Sequence, residues 1–115
     1  MPAPYDEIRS ALSRGFSVDN LRSISHLSLK ALHAAPKHPA VFYALASVCR
    51  WIADSWDGVP ISTKVADRVE GKLRLPLQYL LNNADEDFIH VCTAFDDLAS
   101  AFSEAIQDGL DRDLA

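Results

Sequence analysis

Apolar residues in this chain recur at intervals of three and four rather than two, the spacing that gathers side chains on one face of a helix. Short breaks at Gly15, Pro36 to Pro39, Gly58 to Pro60, Pro76 and Asn82 to Asp85 separate the periodic stretches, and none of the remaining sequence alternates as a strand would. A first, short helix over about 4–14 carries Tyr5, Ile8, Ala11 and Leu12 on one side and closes at Gly15. A second, capped by Ser17, runs to about Ala35 with Leu21, Ile24, Leu27, Ala31 and Leu32 sharing a face. Ser25 and Ser28 fall inside that apolar arc, where small side chains permit close helix approach.

Pro39 suits the first position of a third helix, ending at Gly58. Its apolar residues wrap most of the cylinder and leave only a strip of Tyr43, Ser47, Arg50, Asp54 and Asp57 polar, the pattern of a helix central in a bundle or shared with a partner. Ser62 is expected to cap a fourth helix, with Val65, Ala66, Val69 and Leu73 buried, and Pro76 to kink or break it near Leu75 before a second piece at Leu77 to Asn83. Asp85 is expected to cap the last helix. There Phe88, Cys92, Phe95, Ala99, Phe102 and Ile106 follow one another at steps of four, three, four, three and four, an uninterrupted heptad seam expected to face the core. The fold class is therefore all-α: one domain over 1–115, a mostly antiparallel four-helix bundle with a short extra N-terminal helix.

Composition narrows what such a bundle can do. The chain is 49% hydrophobic and 23% charged, ordinary for a globular domain, and its formal charge of −5 disfavours nucleic acid as a partner. No apolar run reaches the roughly 18 residues of a membrane span, and Met1 to Asp6 has neither a basic nor an apolar leader region, so a cytoplasmic, unprocessed protein is expected. Cys49 and Cys92 make no disulfide framework or metal-ligand spacing, and neither has a sequence neighbour suited to activate a nucleophile. The nearest approach to a carboxylate-bridged metal pair, Asp87-Phe88-Ile89-His90, occurs once. No metal, no cofactor and no catalytic residue is expected.

Charge is unevenly divided. Residues 1–84 hold ten Lys and Arg against seven Asp and Glu, whereas residues 85–115 hold one against nine, a segment of −8. Asp96, Asp97, Glu104 and Asp108 form a polar face on the last helix, and Lys64, Arg68 and Lys72 repeat every four residues along the fourth. The acidic face is a candidate surface for a protein partner, the apolar third helix a candidate subunit interface, with Trp51 as its anchor in a homo-oligomer.

One segment carries an alternative. Leu21-Arg22-Ser23-Ile24-Ser25-His26 places a histidine after a serine on the polar side of a bundle helix, with Lys30 one turn on to offset phosphoryl charge. It resembles the phosphoacceptor helices of histidine kinases and histidine phosphotransfer domains over about ten residues. That resemblance implies His26 as phosphoacceptor. The chain departs from those patterns in having Leu27 directly after the histidine, Lys30 four residues on, and no glycine after it.

Overall fold

The computed structural model describes residues 4–34, 36–58 and 61–107. Local chemistry sets where each helix begins. The Ser17 hydroxyl accepts the backbone N–H of Asn20, the Ser62 hydroxyl that of Val65, and the Asp87 carboxylate that of His90, so three helix starts each satisfy a donor left without an intrahelical partner. Replacing Ser17 by Ala is therefore expected to cost about 1 kcal/mol, read as a lower urea midpoint at unchanged m value. Pro39 opens its helix at the position where a missing N–H costs nothing, and Gly15 and Gly58 take left-handed φ values of 96° and 73° just beyond helix ends.

The result is α1 (Pro4–Ser13), α2 (Val18–Leu32), α3 (Pro39–Trp56), α4 (Thr63–Asn82) and α5 (Phe88–Ala105), with no strand among the described residues. Two expectations need correction. The last helix is capped by Asp87, not Asp85, whose carboxylate instead accepts the Tyr5 hydroxyl at 3.3 Å and ties α1 to the α4–α5 turn. And α4 is one unbroken element through Pro76. A helix-interior proline costs about 3 kcal/mol, but Leu73, Leu77, Leu80 and Leu81 flank it on a single fully buried face. Burying a leucine returns about 1.5–3 kcal/mol, so continuing the helix wins over breaking it.

The helices pack chiefly as two hairpins, α2 on α3 and α4 on α5, while α1 packs on α2 and also meets α4. Ser28 and Ala31 on α2 and Ala46, Cys49 and Ala53 on α3 are all buried, so the most extensive helix pair meets through small side chains. Ser28 returns its hydroxyl to the Ile24 carbonyl at 2.7 Å, which satisfies it inside the core. The α1–α2 turn is held from two sides: Asn20 donates to the carbonyls of Ala11 and Gly15, and Glu70 on α4 accepts the N–H of Phe16 at 2.7 Å. At the other end His38 meets the Glu86 carbonyl at 2.8 Å, joining the α2–α3 and α4–α5 connections.

Contacts between the hairpins on the α3 and α5 side are sparse. The molecule measures 40 × 28 × 18 Å. A short dimension of less than two full helix diameters leaves each helix an outward face.

Candidate functional site

The α5 seam is where the structure departs furthest from the pattern. The residues of α5 that enter the core are Val91, Ala94, Leu98 and Ala105. The heptad seam lies about 80–90° round the axis from them: Phe88 is 70% exposed, Ala99 is exposed, and Cys92, Phe95, Phe102 and Ile106 are only half-buried. The apolar arc of α5 is about 180° wide, roughly twice the stripe one neighbouring helix covers. The buried side includes the small residues Ala94 and Ala105. Phe88 is left to the outside, while Phe95 and Phe102 pack at the edge of the core with part of each ring open.

They do not stand alone there. Ala44 and Val48 on α3 face Phe95, Phe102 and Ile106 across an open groove of about 420 Å³, walled almost wholly by carbon. Trp51, placed by the same α3 flank at the next turn, lies 5.4 Å from the Phe102 ring centre to centre and is 45% exposed. Trp51 thus stands outside the deep core, and Trp56, five residues on, takes the core position. Ile89, 74% exposed, lies 100° round the helix from Phe88, on the Asp96 flank. Single apolar residues scattered over a surface are ordinary, whereas here several aromatic side chains adjoin one another.

The acidic face divides into two. Consecutive residues are 100° apart on a helix, so Asp97 and Glu104 line a groove with Leu75, Pro76 and Tyr79 on the α4 side, while Asp96 points outward elsewhere. Asp108 lies outside the described residues. On α4, Lys64 and Arg68 are exposed and Lys72 is half-buried, and both Arg68 and Lys72 are engaged in interactions of their own. The stripe is thus not a row of uncommitted cations.

His26 sits exposed on α2 in a polar groove with Arg22 and Arg50, while Lys30 is exposed and does not line it. Carboxylates already occupy these guanidiniums: Asp57 and Asp54 lie 2.9 and 3.5 Å from Arg22, and Asp54 lies 3.7 Å from Arg50. No group of three or more metal-ligating side chains exists among the described residues, and no described helix is long and apolar enough to cross a membrane.

One titrating pair bears on α5. His90 Nδ1 lies 2.5 Å from Asp87 Oδ1, and this hydrogen bond holds the Asp87 carboxyl below its ordinary value of 3.8 and His90 above its ordinary 6.5. A raised histidine contributes stability in full below pH 6.5 and loses it as pH climbs through the folded value; a lowered carboxylate contributes above 3.8 and loses it as pH falls through the folded value. The pair therefore acts most between about pH 4 and 6.5. His90→Gln is expected to flatten the fall in melting temperature on going from pH 6 to pH 8, and an unchanged profile would remove the pair from the pH dependence.

Comparison with protein-family models, curated proteins and solved structures finds no match to this chain.

Proposed function

We propose that this chain is a non-catalytic helical interaction protein whose working surface is the apolar face shared by α3 and α5. The observation that supports it is the position of the α5 seam: of six residues in unbroken heptad spacing, three of them phenylalanine, Phe88 and Ala99 are exposed and the other four half-buried along the flank beside Trp51. Heptad spacing is the pattern one helix needs to pack along another, and aromatic anchors supply most of the energy at such contacts. In this reading the four longer helices form a mostly antiparallel bundle that holds the face rigid, α1 being the extra element. Free thiols at Cys49 and Cys92 fit a reducing, cytoplasmic setting. Asp97 and Glu104, flanking Leu75 and Tyr79, are a second surface for a protein partner. Alanine at both positions should reduce partner capture if that surface is used, and unchanged capture removes it.

The main surface is tested by placing a photo-crosslinking phenylalanine analogue at position 99, in the middle of the seam, in living cells. A protein adduct is expected from position 99 and not from position 19 on the exposed side of α2. Absence of any protein adduct at 99 would refute the reading.

A second reading, histidine phosphotransfer at His26, has one observation in its favour, the groove His26 shares with Arg22 and Arg50. A phosphoryl group there must displace Asp54 and Asp57 from Arg22. Acid-labile phosphate incorporated by the wild type and lost in His26→Gln supports it; label that persists in His26→Gln sinks it.

A further inference from the structure

Resting on the reading of the α3–α5 face as a docking surface, we infer that its occupant is a second copy of this chain, with the two α5 helices packed antiparallel in an isologous dimer. The seam is its own complement when one copy is reversed about position 97. Phe88 then falls opposite Ile106 of the second copy, Cys92 opposite Phe102, and Phe95 opposite Ala99, so every seam residue has a partner and none is left over. The two central kinds of layer each set a phenylalanine against a small side chain, the alternation that lets facing helices interdigitate without voids. A parallel pair stacks Phe95 on Phe95 and Ala99 on Ala99, which alternates crowded layers with empty ones. The sequence of sizes along the seam therefore selects both the occupant and its direction.

The same arrangement accounts for the exposure of Trp51. Because Trp51 lies beside Phe102, and Phe102 pairs with Cys92 of the second copy, the first turns of the incoming α5 lie over the Trp51 end of the groove. Its exposed Phe88 is thereby brought to Ile106, at the Trp51 end of the groove. From Phe88 to Ile106 the seam runs about 27 Å, and with α3 alongside, the face is about 20 Å wide. That footprint of about 500 Å², increased by side-chain relief, falls near the roughly 600–1,000 Å² per partner of stable interfaces. Asp96 is the one seam-flanking charge that meets its like across the pair, a rim contact that high salt relieves.

The test is sedimentation velocity of the purified full chain across a micromolar to millimolar series, with far-ultraviolet circular dichroism as the check on folding. The wild type is expected at twice the 12.7 kDa chain mass. Ala99→Arg places a charge opposite Phe95 of the second copy and should raise the dimer dissociation constant at least about a hundredfold with helicity unchanged. Ser100→Arg, on the outward side, should leave the dimer intact. Oxidation should not link Cys92 to Cys92, which the reversed register holds about 15 Å apart along the axis; such a disulfide overturns the antiparallel arrangement. A wild type monomeric throughout overturns the inference. If it is monomeric while position 99 still crosslinks to another protein in cells, the docking reading stands and only the second copy fails.

Discussion

Truncating Phe42 to alanine is expected to lower the unfolding free energy by about 3–5 kcal/mol, the range for removing a buried aromatic side chain. Phe42 is fully buried on α3 and its ring centre lies 4.9 Å from that of Tyr5. The side chain thus joins α1 to the main hairpin, and removing it opens a void that cannot close without moving α1. Domains of this size have about 5–15 kcal/mol in total, so the loss is at least about a fifth of what there is. Tyr43, the next residue, points the other way and is 65% exposed; Tyr43→Ala should shift stability by less than about 0.5 kcal/mol. Urea unfolding of both variants tests the rotational phase of α3 directly. Equal effects would mean that α3 is turned relative to its neighbours, and with it the flank that carries Val48 and Trp51.

That phase was legible in the sequence for α3 and not for α5, and the difference is physical. On α3 the buried side carries Val41, Phe42, Leu45, Ile52 and Trp56, so most of the apolar bulk and the burial point the same way, Tyr43 and Trp51 excepted. On α5 they oppose one another. The bulky residues form the most regular repeat, but the side that is buried carries Val91, Ala94, Leu98 and Ala105, two of them alanines. Periodicity reports that an apolar stripe exists; it does not say which neighbour covers it when the stripe is twice as wide as one helix.

Helix starts were mostly readable for a related reason. Ser17 and Ser62 act within three residues of themselves, so no distant contact can override them. Asp85, Glu86 and Asp87 offered three acidic candidates in a row, and the choice fell to Asp87 because Asp85 is taken by Tyr5, eighty residues away. Pro76 was misread similarly: its local cost is real, but the four leucines that offset it matter only once α4 is packed. Among the site residues, the exposure of Trp51 beside an apolar flank follows from helical spacing. The groove joining His26 to Arg50 needs the α2–α3 pairing and has no sequence signal.

The two cysteines are expected to differ in reactivity by more than about ten-thousandfold in the native protein. Cys49 is fully buried on α3, and burial pushes its thiol up to about 12, so at pH 8 only about one molecule in ten thousand carries the reactive thiolate there. A reagent must also reach it, which requires opening the core at a further cost of several kcal/mol. Cys92 lies on the outward seam of α5, half-exposed between Phe88 and Phe95. A thiol-reactive dye followed by mass spectrometry should therefore show one fast site, Cys92, in dilute protein, and a second only in denaturant. Two fast sites would contradict the buried face of α3; none in dilute protein would contradict the outward seam. Concentration adds a further distinction, because a second copy places Phe102 over Cys92 and leaves the surroundings of Cys49 unchanged. As protein concentration rises, labelling of Cys92 should slow in step with the measured dimer fraction, and in Ala99→Arg it should remain fast throughout.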